Sequence, residues 1–262
     1  MDRTKSSEGT QSIDRATAIL DIVAAHNEAG LTLSEVLEKS QLARATARRL
    51  LMALVKHGFV ARNAANRRYF LGQKIYELGL VVLPVFDFSE IYLPSLTTLV
   101  ERTGDTVFLN RLVGNDVLCI ARETGDFPVK AFVLDVGVQR PIGVGAGGIA
   151  LLAAMESTRA SEIMQQNADR IAAFNSDIDT IEALLTAARE SGHVIRDIPA
   201  LGIRTVAMAI RDSAGTPFAA ISISTIIERM QGEHLQTVLA TLRQEVDRIT
   251  EKLSRKRPVY IP

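Results

Sequence analysis

Three arginines that share one face of a predicted helix carry the clearest chemical signal. Arg44, Arg48 and Arg49 lie in the segment LARATARRLLMALVKHG, which ends at Gly58. At roughly 100° per residue, the apolar residues of this segment form a separate stripe, namely Ala47, Leu50, Leu51 and Leu54. A guanidinium group can hydrogen-bond guanine through two N–H groups or pair with phosphate. The face could therefore contact DNA, although a solvated surface has the same pattern.

The preceding residues predict a shorter helix that would position this one. Thr32-x-x-Glu35 has the spacing of a capping box, and Ser40-Gln41 then breaks the apolar pattern. The second helix is predicted from about Ala43 to His57, with Gly58 as its stop. Two helices joined by a tight turn form a helix-turn-helix. The predicted DNA contacts of the second helix are Ala43, Arg44, Ala45, Thr46, Arg48 and Arg49.

The flanking segments extend this unit to a winged helix. An apolar stripe from Ser12 to His26 predicts a first helix, with Ser12 as its N-cap. After Gly58, the segments 59–60 and 69–71 are strand-like, and a polar turn at 63–68 joins them. Such a hairpin would form the wing. Its basic residues would contact phosphate or enter the minor groove, and they are Arg62, Arg67 and Arg68.

Charge and composition agree with a basic DNA-binding unit joined to a larger acidic domain. Residues 1–83 carry a net charge of +4 and residues 84–262 a net charge of −4, so the basic excess lies with the helix-turn-helix. No apolar run reaches the ~18 residues of a membrane span, and the N-terminus has no apolar signal region. The single cysteine predicts a reducing cytoplasm, and no Cys/His cluster has the spacing of a metal site.

The rest of the chain predicts an α+β domain. Gln73–Val82 is amphipathic and would be a linker helix, and further helices are predicted at 89–103, 149–156, 158–166, 177–191 and 233–253. About six antiparallel strands are predicted, in the segments TVFLN and VLCIARE around Gly114-Asn115, VKAFVLDV, HVIRD, RTVAMAIRD and PFAAISIST. The predicted organisation is a disordered start (1–10), a winged helix-turn-helix (11–72), a linker helix (73–88), a second domain (89–255) and a polar tail (256–262).

A glycine motif offers a rival function. Gly143-x-Gly145-x-x-Gly148 spells the dinucleotide fingerprint and would make the chain an oxidoreductase. The fingerprint should leave a strand directly, inside a βαβ unit. Here the preceding strand is predicted to end near Val136, and no parallel alternation follows. The small residues could instead let the backbone approach a ligand, with the N-terminus of the next helix offering N–H donors to an anion.

Catalytic machinery is not predicted. His193 and the serines lack a Gly-x-Ser-x-Gly elbow, and nothing places a serine beside a base. Cys119 lies within an apolar strand and is predicted to be a small core residue. Ser222 and Ser224 share one strand face, where their hydroxyls must bond either backbone groups or a ligand. No catalytic residue, metal or cofactor is therefore expected.

The chain as a whole resembles the IclR-type transcriptional regulators over about residues 11–255. The resemblance rests on the ordered set SIDRATAILDIVA, LTLSEVLEKSQLARATARRLLMALVKHGFV, RRYFLGQKIYELG, RPIGVGAGGIALLAAM and GIRTVAMAIRDSAGTPFAAISIS. It implies an N-terminal winged helix-turn-helix, a linker helix and a C-terminal effector-binding domain of GAF-like shape, an antiparallel sheet with flanking helices. Three positions depart from the common family pattern: Ala45 replaces a serine, Ile149 a lysine and Thr205 a cysteine.

The resemblance also implies an effector site in the C-terminal domain. Its residues would be Ala146, Gly147, Arg196, Asp197, Ile203, Thr205, Ser222 and Ser224, with either Arg196 or Asp197 as the polar group at the pocket edge. The effector would be a small organic acid from carbon or aromatic catabolism. The expected partners are double-stranded DNA with a pseudo-palindromic operator and further copies of the chain, as a homodimer or tetramer. Repression and activation are both open, and no membrane partner is expected.

Overall fold

The computed structural model describes residues 8–82, 88–174 and 176–255. The chain divides into two compact units, with the boundary between residues 86 and 87. This boundary lies inside the segment 73–88 that was predicted as the linker. Most of the predicted disordered start and the whole predicted tail, at 256–262, lie outside the described residues. Each unit is considered by itself.

The described part of the N-terminal unit, residues 8–82, contains four helices and one hairpin. Its elements are α1 (Glu8–Ala25), α2 (Leu33–Ser40), α3 (Arg44–Lys56), β1 (Val60–Arg62), β2 (Tyr69–Leu71) and α4 (Gln73–Val82). Helix α1 begins four residues before the predicted cap at Ser12, so residues 8–10, predicted as disordered, are helical. The core combines one apolar face from each of α1, α2 and α3 with the hairpin.

Local interactions at both ends of α2 explain the tight turn. Thr32 accepts a hydrogen bond from the Glu35 N–H, and the Glu35 carboxylate accepts one from the Thr32 N–H, which completes the predicted capping box. Gln41 ends the helix in the left-handed region (φ 53°) and donates its N–H to the Leu37 carbonyl. The predicted stripe of α3 is buried, at Ala47, Leu50, Leu51 and Leu54. The helix-turn-helix predicted from the sequence is therefore confirmed.

The C-terminal unit is a six-stranded antiparallel sheet with helices on both faces. The helices are α5 (Phe88–Ile91), α6 (Leu93–Thr103), α7 (Ala146–Ala154), α8 (Ser157–Gln166), α9 (Ala168–Ala172), α10 (Ile178–Ser191) and α11 (Gly232–Arg255). The strands are β3 (Thr106–Val113), β4 (Asp116–Thr124), β5 (Gln139–Pro141), β6 (Val194–Ile198), β7 (Ile203–Arg211) and β8 (Pro217–Ile226). The strand order is β5-β4-β3-β8-β7-β6, and each described pairing is antiparallel.

The alternation of side chains along β8 separates two cores. Ile221 and Ile223 pack with α6 and α11 on one face of the sheet. Ala220 packs on the other face, where α7 and α10 supply the apolar partners. Ser222 and Ser224 point to this second face, because successive strand residues alternate. The sheet thus presents hydroxyl groups toward α7 in the middle of an otherwise apolar layer.

Three predicted elements differ from the structure. The segment VKAFVLDV is irregular and not a strand. The third strand of the C-terminal sheet in chain order is instead the short β5 at Gln139–Pro141. The helix predicted at 89–103 is divided into α5 and α6, because Pro94 at the start of α6 has no N–H with which to continue a helical ladder. The five-residue helix α9 was not predicted, since it is too short for a periodic pattern.

Candidate functional site

The arginine face of α3 is available for contact. Arg44, Arg48 and Arg49 are exposed, while the opposite stripe is buried in the core. Among the described residues, these three side chains make no ion pair or hydrogen bond. Ala43, Ala45 and Met52 are also exposed and Thr46 is half-buried, so small side chains surround the arginines and leave them accessible.

Two of the three wing arginines that were predicted to contact DNA are exposed. Arg67 is exposed at the tip of the turn with a positive φ of 58°, and Arg62 lies 5.6 Å from the centre of the Tyr69 ring. The turn is held by the Asn63 side chain, whose oxygen accepts the N–H groups of Ala65 and Asn66. Arg62 and Arg67 are therefore placed where a phosphate backbone could reach them.

Arg68, the third arginine predicted to contact DNA from the wing, has its guanidinium turned toward the domain. Arg68 donates to the Gly30 carbonyl at 2.8 Å and pairs with Glu35 at 3.4 Å. The pKa of Glu35 lies below its ordinary value, chiefly because Thr32 donates hydrogen bonds to the carboxylate and also because Arg68 is close. Arg68 thus ties the wing to the capping box of α2.

A cavity of about 70 Å³ lies in the C-terminal unit between the sheet, the N-terminus of α7 and the segment 125–138. Residues from all six strands line it, together with Val133 and Leu134 from that segment. Space of this size exceeds the ~10–15 Å³ that one water molecule requires. Phe108, Val117, Val144 and Ile198 supply apolar walls. A small ligand with an apolar body would fit these surroundings.

The floor of the cavity is a row of hydroxyl and amide groups. Asn110 on β3 donates to the Ser222 hydroxyl on β8 at 3.2 Å. The hydroxyls of Thr205 and Ser224 share a hydrogen bond of 2.8 Å. Ser222 and Thr205 line the cavity, whereas Ser224 is buried behind Thr205. Both lining hydroxyls are thus oriented by a neighbour and keep hydrogen-bonding capacity for a ligand.

Two arginines make the cavity electropositive. Arg140 on β5 and Arg196 on β6 both line it, and none of the other lining residues that the structure describes is an aspartate or glutamate. Burial lowers the pKa of both guanidinium groups, and the nearness of Arg140 lowers that of Arg196 further. Desolvation is the larger cause in both cases, and the repulsion from Arg140 adds to it only for Arg196. An anion in the cavity would relieve this repulsion.

Five of the eight predicted effector residues line the cavity: Ala146, Gly147, Arg196, Thr205 and Ser222. The other three do not. Asp197 points away from it, because strand side chains alternate, and pairs with Arg204 at 2.6 and 2.8 Å. Ile203 is the first residue of β7, and its register partner Ile198 on β6 lines the cavity instead. Ser224 supports Thr205 from behind.

Sequence reasoning missed Asn110 and Arg140 as cavity residues. The only available signal for Asn110 was a polar amide in the middle of an apolar strand, which needs a partner when buried. Arg140 stands immediately before the glycine motif, and its position gave no signal of a cavity contact. Both positions reach the cavity through non-local strand pairing, which the local sequence does not encode.

The glycine motif serves close packing in this fold. A Cβ on Gly147 would lie 2.8 Å from the Asn110 side-chain nitrogen, and Gly143 has a positive φ of 103°. The strand before the motif is β5, an edge strand antiparallel to β4. The dinucleotide fingerprint requires a parallel βαβ unit, so the sheet topology argues against the oxidoreductase alternative.

Cys119 and His193 are reactive residue types, but the fold gives each of them a structural environment. Cys119 is buried in β4, and burial raises the pKa of its thiol to about 11. The His193 ring bonds the backbone of Ser191. Within the described residues, no group of three or more His, Cys, Asp or Glu side chains could hold a metal ion. No described helix is long and apolar enough to cross a membrane.

The chain combines a winged helix-turn-helix with a separate sheet domain that contains a small cavity. This combination is the architecture of a one-component transcriptional regulator. Comparison with family models gives the particular family. Residues 12–64 match the IclR helix-turn-helix domain, and residues 81–251 match the C-terminal domain of bacterial IclR transcriptional regulators. The chain therefore belongs to the IclR family of transcriptional regulators, which are not enzymes.

Individual relatives match over most of their length. The chain is 30% identical to the glycerol operon regulatory protein of Streptomyces coelicolor over 240 residues, covering 89% of this chain and 92% of the relative. It is 27% identical to the transcriptional regulator XynR of Escherichia coli over 239 residues, covering 89% and 93%. A crystal structure of an IclR regulator from Silicibacter sp. TM1040 superimposes with a TM-score of 0.80 at 20% identity, covering 94% and 98%. That structure shares the fold.

Proposed function

We propose that the affinity of this regulator for its operator changes when a small organic acid binds in the C-terminal cavity. The electropositive cavity is the observation that carries the proposal. Arg140 and Arg196 line it together with the hydroxyls of Thr205 and Ser222, and none of the described residues that line it is acidic. An organic acid would supply the missing negative charge, and its apolar part would contact Phe108 and Val117.

The DNA contacts follow from the exposed arginines of the N-terminal unit. We assign the major groove to α3, with Arg44, Arg48 and Arg49 as the base and phosphate contacts and with Ala43, Ala45 and Thr46 beside them. Arg62 and Arg67 of the wing would hold phosphate or enter the minor groove. The reader would then occupy residues 11–72, α4 would continue as the linker, and residues 89–255 would form the effector domain.

A homodimer, or a tetramer built from dimers, would read a pseudo-palindromic operator with half-sites about one helical turn or a multiple apart. The described part of α4 leaves Tyr76, Leu78, Leu80 and Val81 exposed, as α1 leaves Ile13. Exposed apolar side chains on one helix are what an interface between copies would bury. Since operator DNA is its partner, the protein would work in the cytoplasm.

The names of related proteins support a catabolic role. One relative is a glycerol operon regulator, and another, 28% identical over 210 residues, is the Pca regulon regulatory protein of Pseudomonas putida. A structural neighbour from Microbacterium hydrocarbonoxydans was crystallised with 4-hydroxybenzoate. We therefore propose control of an operon for carbon or aromatic-compound catabolism, with repression and activation both open.

Selection of DNA from a random library, followed by binding titrations, tests this function. The expected result is a pseudo-palindromic consensus bound at least ~10³ times more tightly than random DNA. Arg48→Ala should weaken specific binding by more than non-specific binding, because a base contact discriminates by ~1–3 kcal/mol. Equal losses on both DNAs would demote Arg48 to a phosphate contact. A library that yields no consensus would overturn the assignment.

A further inference from the structure

Two arginines reach the effector cavity from opposite edges of the sheet. Arg140 belongs to β5 and Arg196 to β6, and these two strands stand at the two ends of the strand order. Both side chains nevertheless line the same cavity and flank the segment Gly143–Val144, whose carbonyls accept from Arg196. Two cations therefore converge on one small space.

In the described part of the chain, neither of these cations has a carboxylate of its own. Arg196 donates to neutral groups, the carbonyls of Gly143 and Val144 and the hydroxyl of Ser176. Arg140 lies 5.8 Å from the centre of the Phe174 ring. The acid near Arg140 is Asp135, whose carboxylate is already paired with Arg122. Within the described residues, both guanidinium groups thus lack a carboxylate of their own, and Asp135 only partly offsets the charge of Arg140.

Other arginines of the same domain show how unusual this is. Four of them, outside the cavity, each contact a carboxylate: Arg122 with Asp135, Arg170 with Asp116, Arg204 with Asp197 and Arg229 with Asp105. Partly buried charges are normally paired in this way, because an unpaired charge in a desolvated space is unfavourable. Arg140 and Arg196 differ from these four arginines, and they line the cavity in which a ligand would bind.

We propose that the effector is a dianion, whose two negative charges neutralise Arg140 and Arg196 together. This inference rests on the proposed effector site. A monocarboxylate would leave one of the two arginines unpaired. The two charges could come from two carboxylates or from one phosphoryl group, and either would accept hydrogen bonds from the Thr205 and Ser222 hydroxyls and from free N–H groups at the N-terminus of α7.

Matched pairs of small acids test the charge directly. Isothermal titration of the full-length protein at pH 7.5 would compare succinate with butyrate, phthalate with benzoate, and methyl phosphate with dimethyl phosphate. At least one dianion should bind ~10-fold or more tightly than its monoanionic partner, since each tenfold step corresponds to about 1.4 kcal/mol. The first two pairs and the third distinguish the carboxylate from the phosphoryl source. Equal affinity within every pair, or no binding by any dianion, would overturn the proposal.

Two variants and one control connect the preference to the arginines. Arg140→Gln and Arg196→Gln should each reduce the dianion preference by ~10-fold, whereas Arg211→Gln removes the same charge from an exposed site on β7 and should leave it unchanged. Without ligand, Arg140→Gln should melt no lower than the unchanged protein, because it removes a charge that is only partly offset. A preference that survives both cavity variants contradicts the proposal. Operator titrations with the same preparations test the regulator function separately.

Discussion

Neighbouring side chains of one type can have opposite roles, and the wing shows this most clearly. Arg67 and Arg68 are adjacent, but Arg67 is exposed at a positive φ while Arg68 is turned inward to Gly30 and Glu35. A sequence pattern assigns both to the DNA because it records type and spacing only. The backbone reversal at the turn separates them, and it depends on the Asn63 hydrogen bonds.

Substitution of each arginine should therefore have a different effect. Arg68→Ala removes a charge-assisted hydrogen bond and should destabilise the N-terminal unit by about 1 kcal/mol. Arg67→Ala should leave the melting temperature unchanged, weaken binding to all DNA sequences about equally and reduce the salt dependence of binding by ~1 phosphate contact. Thermal unfolding and salt titrations measure both. If Arg67→Ala melts lower and Arg68→Ala does not, the two roles are reversed.

Cys119 should be inert while the protein is folded. Burial raises the pKa of its thiol from 9.0 to about 11, so the thiolate at pH 8 is ~100-fold scarcer than in the unfolded chain. The folded state keeps a proton that the unfolded state loses, so stability should fall between about pH 9 and 11. Reaction with a chromogenic disulfide at pH 8, with and without denaturant, measures this. Fast labelling of the native protein would contradict the burial.

At the level of secondary structure, features that depend on local residue spacing could be predicted from the sequence. The capping box of α2 and the buried stripe of α3 were predictable because both follow from local spacing. The strand predicted at VKAFVLDV was wrong for a physical reason. This irregular segment places Val133 and Leu134 in the cavity wall, and their apolar side chains give the sequence the same pattern as a buried strand.

The capping box predicts a pH-dependent stability. The pKa of Glu35 is lowered by the hydrogen bonds from Thr32, so its contribution is present above the ordinary value of 4.5 and is lost as the pH falls through the lowered value. Glu35→Gln should therefore reduce hydrogen-exchange protection of α2 amides at pH 7, and the gap to the unchanged protein should narrow below about pH 4.5. A gap of constant size at both pH values would show that the carboxylate charge is unimportant there.

The start of α7 predicts a steric effect on the ligand site. Gly147→Ala would bring a Cβ within 2.8 Å of the Asn110 nitrogen and displace the amide from Ser222. Affinity for the effector should fall by about 10-fold, while operator binding without effector stays unchanged. Gly79→Ala on α4, where no atom lies within 4 Å and which does not line the cavity, is the control. Identical effector affinity in the two variants would separate Asn110 from the site.

For the molecule as a whole, the order of units was more predictable than the cavity. Helix periodicity, the charge difference and the resemblance together predicted a winged helix-turn-helix followed by a sheet domain. The cavity depends on strands distant in sequence: Asn110, Arg140 and Arg196 converge only after β3, β5 and β6 join one sheet. Local patterns do not record such pairing. For this reason Arg140 was not among the predicted effector residues, and Asp197, one of the two alternatives for the pocket edge, lies outside the cavity lining and pairs with Arg204.

The proposed regulation requires a coupling between the effector site and the DNA-binding unit, and linkage makes that coupling measurable from both sides. Operator affinity of the full-length protein would be titrated with and without a saturating dianion, and dianion affinity with and without operator. We predict a change of about 5-fold or more in operator affinity, an equal factor for the dianion, and loss of both in Arg196→Gln with basal operator binding retained. Operator affinity that is the same with and without bound ligand would contradict the account.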